Sequence, residues 1–254
     1  MEPARSRSSA HADVLSAPYT YGVVVHYHEI GLKGRNRGFF ERSLVRNLRS
    51  SLEGCDHGGV EVLSGRLLIH TTGHPTDALL ARIERVFGVA SYAPCAITGS
   101  NIPSMKQAAL DLLVRRPFET FAIAARRSTK ELPFNSRDIN IELGAAVQEA
   151  MHKDVDLGSP DVTVRVEVVG GRTFVYVDRF EGPGGLPVGA SGKVVSLLSG
   201  GIDSPVATHR IMRRGAKAIL CHFDSAPYTD PSSPRKAGEL AGMLSEWQGN
   251  TTLY

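Results

Sequence analysis

The sequence predicts a mixed α/β and α+β protein of three small modules, the last of which begins a doubly wound parallel sheet. Two observations lead to this prediction. Before residue 182, helical patterns alternate with short strands, several of which are joined by glycine turns. After residue 192, an uninterrupted apolar run is followed by a glycine-rich loop and a helical pattern, the order typical of parallel sheets.

The composition predicts a globular chain. Apolar residues make up 42% and charged residues 22% of the 254 residues, which excludes collagen-like and wholly disordered chains. No uncharged apolar run reaches about 18 residues, so we expect no membrane-spanning helix. The net charge of +3 is too small to indicate a nucleic-acid partner by itself.

Residues 1–18 are small and polar and lack the apolar core of a signal peptide, so they are predicted to be a flexible lead-in. The three cysteines, Cys55, Cys95 and Cys221, are widely spaced. They form neither a disulfide framework nor a metal quartet. Because this usage suits the reducing cytosol, we expect a cytoplasmic protein, and we expect Cys221 to be buried in its apolar strand.

Two αβ modules are predicted before residue 182, at residues 19–88 and 89–181. The first is predicted to hold strands over 21–27, 60–63 and 67–71, and helices over 39–52 and from 77 to a stop at Gly88. The second is predicted to hold helices over 104–114 and 136–152, and strands over 120–125, 162–169 and 173–177.

Glycines and prolines over residues 182–192 predict a linker with little ability to pack. The apolar run over 193–198 has almost no alternation, as in a strand buried on both faces of a parallel sheet. A helix over 205–214, a strand over 216–223 and a helix over 234–247 complete the pattern. Residues 193–254 are therefore predicted to be the first part of a doubly wound domain.

The clearest motif, Ser-Gly-Gly-Ile-Asp-Ser-Pro at residues 199–205, lies between that strand and the next helix. Two adjacent glycines can expose successive backbone N–H groups to an anion. Ser199 and Ser204 can donate hydroxyl hydrogens, and the helix N-terminus adds the positive end of its dipole. The loop has neither the ending of a Walker loop nor the pattern Gly-x-Gly-x-x-Gly. We therefore predict a phosphate site outside those two classes.

Asp203 narrows the chemistry of this loop. A carboxylate beside bound phosphate would repel its ligand unless a metal ion lay between them, so it indicates Mg²⁺ held through pyrophosphate. The alternative is a simple glycine turn in which Asp203 caps the following helix.

The string LLSGGIDSPVA resembles the PP-loop ATP pyrophosphatases, and in particular the tRNA 4-thiouridine synthetase (ThiI, tRNA uracil 4-sulfurtransferase) family. YHEIGLKGRNRGFFERSLVRNL is similar to the family's N-terminal ferredoxin-like domain. RVFGVASYAP and FAIAARRSTKELPFNSRDINIELGAAV are similar to its THUMP domain. The resemblance covers residues 19–250 in the family's order. It implies a ferredoxin-like domain, a THUMP RNA-binding domain and part of a PP-loop domain.

In this family, ATP adenylates O4 of the uridine at position 8 of tRNA, and persulfide sulfur then displaces AMP to leave 4-thiouridine. The resemblance therefore implies ATP and Mg²⁺ as cofactors, with Asp203 as the catalytic residue. It places the ATP contacts at the ends of two strands and in the loop between them. They are Leu197, Leu198, Ser199, Gly200, Gly201, Asp203, Ser204, His222 and Phe223.

Two basic clusters are the candidate tRNA contacts, through phosphates and shape rather than a base code. The first comprises Lys33, Arg35, Arg37, Arg42, Arg46 and Arg49. Of these, Arg42, Arg46 and Arg49 have the spacing of one helical face. The second comprises Arg126, Arg127, Lys130 and Arg137. The alternative is that each cluster is only a solvated face.

The other partners implied are a cysteine desulfurase or another persulfide donor, and a sulfur-carrier protein of thiamine thiazole synthesis. Homodimer formation is left open. No cysteine here matches the family's sulfur-transfer cysteine. Residues 193–254 hold only two predicted strands, whereas a doubly wound sheet needs roughly five, so we expect an enzyme whose PP-loop domain is cut short. Three alternatives remain: a tRNA-binding module without catalysis, another PP-loop tRNA thiolase and an amide-forming ligase. The THUMP-like segment argues against the ligase.

Overall fold

The computed structural model describes residues 19–114, 116–128, 132–224 and 232–254. The first module contains β1 (Thr20–His26), α1 (Arg37–Ser51), β2 (Gly59–Leu63), β3 (Arg66–Thr71) and α2 (Asp77–Glu84). The second contains β4 (Ser91–Gly99), α3 (Ile102–Leu113), β5 (Thr120–Arg127), α4 (Ser136–Met151), β6 (Asp154–Val155), β7 (Val162–Val169), β8 (Arg172–Tyr176) and β9 (Phe180–Glu181). The third contains β10 (Lys193–Leu197), α5 (Asp203–Arg213), β11 (Lys217–Cys221) and α6 (Ser232–Gln248).

The predicted strands and helices are present, with ends within two residues of the prediction except for α2, which ends at Glu84 rather than at Gly88. The sequence did not predict β4, β6 and β9. The predicted lead-in lies outside the described residues. Within the described ranges, no helix combines the length and the apolar character needed to cross a membrane.

The first two modules share one nine-stranded sheet in the order β2-β3-β1-β4-β8-β7-β5-β6, with β9 beside β4. Strand β4 joins the two halves because it pairs antiparallel with β1 on one side and with β8 on the other. Strand β5 runs parallel to β7, with Arg126 opposite Glu167. Side chains from both modules can therefore meet on one surface.

The helices of the first two modules lie on one face of this sheet. Leu44 of α1 and Ile83 of α2 pack against Val23 of β1 in the first module. In the second module, α3 and α4 cover β7, where Val164 is fully buried. On the opposite face, the buried apolar cluster comes from strand residues only among those described, for example Phe174 of β8. That face leaves polar side chains open to solvent.

The third module has a two-stranded parallel sheet, in which Val195 of β10 is opposite Ile219 of β11. The prediction that this strand is buried on both faces is wrong for the described chain, since Val195 is 62% and Leu197 55% exposed. The physical reason is that α5 and α6 pack on the other face only, over Leu220 and its neighbours. An apolar run alone does not show how many faces are covered.

Residues 182–192 are packed rather than loose, which corrects the expectation for this segment. Leu186 and Val188 are buried. A Cβ on Gly182 would lie 2.4 Å from the Val89 carbonyl oxygen, and one on Gly185 would lie 2.2 Å from the Arg213 carbonyl oxygen. Glycine is therefore required at both positions, because any side chain would collide with the neighbouring backbone.

An aromatic cluster fixes the third module against the first. Phe87, which follows α2, is 1% exposed and belongs to the apolar core of the third module. Its ring stacks on Trp247 of α6, with centroids 5.1 Å apart, and meets His209 of α5 edge-on at 5.0 Å. Burial lowers the pKa of His209. The helix that follows the Ser-Gly-Gly motif is thus held directly by the first module.

Candidate nucleotide site and basic surfaces

The glycine loop (residues 199–204) follows β10 and leads into α5. Gly200 has φ +78°, in the left-handed region that favours glycine. The backbone N–H of Ser199 donates to the Ser204 hydroxyl at 3.2 Å, which closes the loop. Gly201 and Asp203 are exposed. The loop therefore presents backbone to solvent, as the sequence predicted.

Helix α5 starts without a side-chain cap. Ile202 is at the N-cap position and makes no capping hydrogen bond, while Asp203 is the first helical residue. Asp203 is therefore not the N-cap residue, against the alternative interpretation of this motif. The first-turn N–H groups and the positive end of the helix dipole are left facing the loop. An anion bound at the loop would use both.

The strand ends named in the sequence analysis lie together beside this loop. The Leu198 N–H donates to the Cys221 carbonyl at 2.8 Å, and His222 Nδ1 donates to the Leu198 carbonyl at 2.6 Å. His222 Nε2 is buried without a partner in the described chain. Leu198 is 2% exposed, so it can offer a ligand only its backbone. Leu197 and Phe223 are exposed apolar side chains.

Sequence reasoning missed the start of α6, which adjoins the loop. A Cβ on Gly200 would lie 3.7 Å from both Ser233 Oγ and Lys236 Cβ. The signal was available, because successive helices of a doubly wound sheet begin at the edge where its parallel strands end.

The first basic cluster lies on α1 and the turn before it. Arg42, Arg46 and Arg49 are exposed on one side of the helix, as predicted from their spacing. Arg37 instead donates to Glu41 at 2.8 Å and to the Tyr27 hydroxyl at 2.8 Å. Lys33 lies over the Phe40 ring, 5.2 Å from its centroid, and Arg35 is exposed.

Of the second basic cluster, only Arg126 is seen on the helix-free face of the large sheet among the described residues. Arg126 lines a groove of about 220 Å³, here called the basic groove, together with Arg165, Arg179, His26 and other residues of β1, β5, β7 and β8. Arg179 is 4.0 Å from Glu181, whereas Arg126 and Arg165 make no ion pair with any described residue. Arg127 donates to the Phe134 carbonyl instead. Arg137 is exposed at the start of α4, and Lys130 lies outside the described residues.

A buried carboxylate, that of Glu167, lies at the floor of the basic groove and holds several of its neighbours in place. Glu167 is 9% exposed, accepts a hydrogen bond from the Tyr176 hydroxyl and forms an ion pair with Arg66. His26 Nε2 lies 3.1 Å from the same carboxylate. Burial, together with the charges of Arg66, Arg179 and Arg126, lowers the pKa of His26 to about 4. His26 is therefore neutral at physiological pH and donates its Nε2 hydrogen to Glu167.

The cysteines differ in burial. Cys95 is buried in β4, and this burial raises the pKa of its thiol to about 12, so it is protonated. Cys55 is half-buried. Cys221 is half-buried too, so the expectation of a buried Cys221 is wrong. It lies on β11 opposite the exposed Leu197, where no described element covers the sheet.

Three family models match consecutive parts of the chain. They are the ThiI ferredoxin-like domain at residues 22–93, the THUMP domain at 99–178 and the thiamine biosynthesis protein ThiI at 189–254. The chain belongs to the ThiI family. The mixed fold of ferredoxin-like, THUMP and parallel-sheet parts predicted from the sequence is confirmed.

Curated relatives of this ThiI-family chain include a probable tRNA sulfurtransferase of Nocardia farcinica, 43% identical over 242 residues. Another, from Brevibacillus brevis, is 36% identical over 235 residues. Each alignment covers 91% of this chain but only 58% and 59% of the relatives. The chain therefore spans less than two thirds of the length of these proteins.

Two solved structures are similar throughout. One is a 4-thiouridine synthetase–RNA complex with bound ATP, with TM-score 0.82 and 33% identity over 92% of this chain and 60% of that one. The other is PH1313 from Pyrococcus horikoshii, with TM-score 0.82 and 27% identity over 92% of this chain and 78% of that one.

Proposed function

We propose that this chain supplies the RNA-binding modules and the ATP-binding loop of a tRNA sulfurtransferase that makes 4-thiouridine at position 8. The observation that carries the proposal is the exposed glycine loop before the uncapped helix α5, in a chain whose earlier parts match the ThiI ferredoxin-like and THUMP domains. The RNA and ATP of the similar 4-thiouridine synthetase structure support it.

The glycine loop suits the first half of this reaction. O4 of the uracil attacks the α-phosphorus of ATP, the bond from that phosphorus to the bridging oxygen breaks, and pyrophosphate leaves with the electron pair. Backbone N–H groups near Gly200 and the start of α5 stabilise the negative charge that develops on pyrophosphate. The adenosine lies against the strand ends, near His222 and Phe223. The resulting adenylate makes C4 open to attack by the terminal sulfur of the persulfide, and AMP leaves with the former O4. A second thiol then breaks the S–S bond, which leaves the sulfur on C4 as 4-thiouridine and joins the two thiols as a disulfide.

Mg²⁺ fits this arrangement through Asp203. Its carboxylate is exposed on the first residue of α5, next to a loop whose other groups bind anions. In the described ranges, no three acidic, histidine or cysteine side chains converge into a metal site. Asp203 would hold an ion bound to the ATP phosphates, and the ion would neutralise charge on the leaving pyrophosphate.

The two candidate tRNA surfaces are the basic groove and the exposed side of α1, which lie on opposite faces of the large sheet. The basic groove is the stronger candidate, because Arg126 and Arg165 form no ion pair with any described residue and an RNA phosphate supplies the missing negative charge. A cysteine desulfurase or another persulfide donor supplies sulfur in the cytoplasm. We also propose a sulfur-carrier protein of thiamine thiazole synthesis as a further partner, and a homodimer as the assembled form.

The test incubates the chain with unmodified tRNA, ATP, Mg²⁺ and a persulfide donor, and measures the absorbance of 4-thiouridine. Filter binding of tRNA on the same sample separates two functions. Thiolation that needs ATP supports the sulfurtransferase. Retention of tRNA without thiolation indicates a binding module, and loss of both activities contradicts the proposal.

A further inference from the structure

Two helices begin beside the glycine loop, and the second has no place in the site inferred from the sequence. The start of α6 is close enough that a Cβ on Gly200 would lie 3.7 Å from Ser233 Oγ and from Lys236 Cβ. Among the described residues, a Cβ on Gly201 would meet only Ser199 Oγ within 4 Å, at 3.6 Å. In the described structure, α6 therefore borders the loop at Gly200 and not at Gly201.

The charged side chains at the start of α6 are positive, the same sign as the helix dipole at that end. Its first turn contains no acidic residue, whereas Arg235 and Lys236 are both exposed near its positive end. Cations at a helix N-terminus are unfavourable because the dipole repels them. Neither cation forms an ion pair with a residue that the structure describes. A bound polyanion would remove this repulsion.

Positive potential from several sources meets at the loop. The N-termini of α5 and α6 both face it, the loop N–H groups add partial positive charge, and Lys236 adds a full charge. Asp203 is the acidic residue of the loop itself. Lysine carries a point charge on a flexible stem with three N–H donors, which suits a phosphate group.

We propose that Lys236, with the Ser233 hydroxyl, binds the pyrophosphate portion of ATP from the α6 side of the glycine loop. This inference rests on the proposed function, in which the loop binds ATP. The side chains at the strand ends take the adenosine, so Lys236 contacts the part of ATP that AMP lacks. Lys236 thereby stabilises the leaving pyrophosphate when the bond to the α-phosphorus breaks.

The test is calorimetric titration of the chain with inorganic pyrophosphate, ATP and AMP, each with Mg²⁺. The Lys236→Met variant keeps an unbranched side chain and removes the charge. We expect it to bind pyrophosphate and ATP at least tenfold more weakly and AMP as before, since a hydrogen bond to a charged group is lost. The control, Arg210→Met, removes an exposed charge from α5 about 10 Å along the helix from Asp203 and should bind all three like the wild type.

Thermal unfolding without ligand is a second readout. Because the dipole repels Lys236 in the empty site, Lys236→Met should melt at the same temperature as the wild type or higher. Binding of pyrophosphate by Lys236→Met at wild-type affinity would overturn the inference and leave the proposed function standing. Equal loss of AMP and pyrophosphate would also overturn it. A wild-type chain that binds neither ATP nor pyrophosphate would contradict the proposed function itself.

Discussion

Replacing Arg126 and Arg165 with glutamine removes two of the three arginine charges that line the basic groove. Both side chains lack an ion pair within the described structure, so the change breaks no salt bridge there. Glu167 keeps its contacts with Arg66 and Tyr176. The substitution should therefore leave the fold intact and affect the affinity for RNA.

The expected loss follows from two phosphate contacts. At about 1 kcal/mol for each hydrogen-bonded contact, the double variant should bind tRNA roughly 30-fold more weakly at low salt. The slope of log affinity against log salt should become shallower by about 1.4 for single-stranded phosphates and about 1.8 for a duplex, because two fewer counterions are released.

Filter binding of unmodified tRNA at several salt concentrations gives both quantities. The matched control, Lys193→Gln with Arg210→Gln, removes the same charge from exposed positions of the third module. We expect its salt slope to match that of the wild type. If the groove variant kept the wild-type affinity and slope, or if the control lost as much, the basic groove would not be an RNA site.

Three further predictions concern the other surfaces and the core. Arg42→Glu with Arg46→Glu should weaken tRNA binding in a salt-dependent way, and unchanged filter binding at low salt would mean that this face of α1 is only solvated. Phe87→Ala should cost about 3–5 kcal/mol of stability and speed amide hydrogen exchange in α5 and α6 more than in β1, whereas equal acceleration everywhere would argue against its anchoring role. Between pH 4 and 6.5 the unfolded chain binds more protons at His26 than the folded chain does, so the free energy of unfolding should rise with pH by up to about 3 kcal/mol. Urea denaturation across that window should show a shallower rise for His26→Gln, and an equal rise would refute the assignment.

The sequence predicted those elements whose burial follows a simple period. Strand β7 alternates and was predicted with its observed bounds. Strand β4 was missed for two reasons. Eight of its nine residues are buried, so its sequence shows no alternation of apolar and polar residues, and it contains Pro94, which is unusual within a strand. Its position between β1 and β8 accounts for this burial. Strand β10 shows the opposite error. Its apolar sequence predicted burial on both faces, but one of its faces is exposed.

The candidate sites show the same limit. The glycine loop is continuous in sequence, so its motif could be found directly. The basic groove draws Arg126, Arg165 and Arg179 from separate segments that only the strand order brings together. Lys236 likewise reaches the loop through packing of α6 against it. Sequence spacing contains no signal for the groove, whereas the strand–helix order predicts that α6 begins near the loop without identifying Lys236.

In the proposed function, the glycine loop binds ATP with Mg²⁺ held beside Asp203. Calorimetric titration of ATP into the wild-type chain and into Asp203→Ala, with and without Mg²⁺, tests it most directly. We expect Mg²⁺ to strengthen ATP binding to the wild type by at least tenfold, as for a charge-assisted contact, and to leave ATP binding to the variant almost unaffected. Equal strengthening in both proteins, or no ATP binding by the wild type, would contradict it.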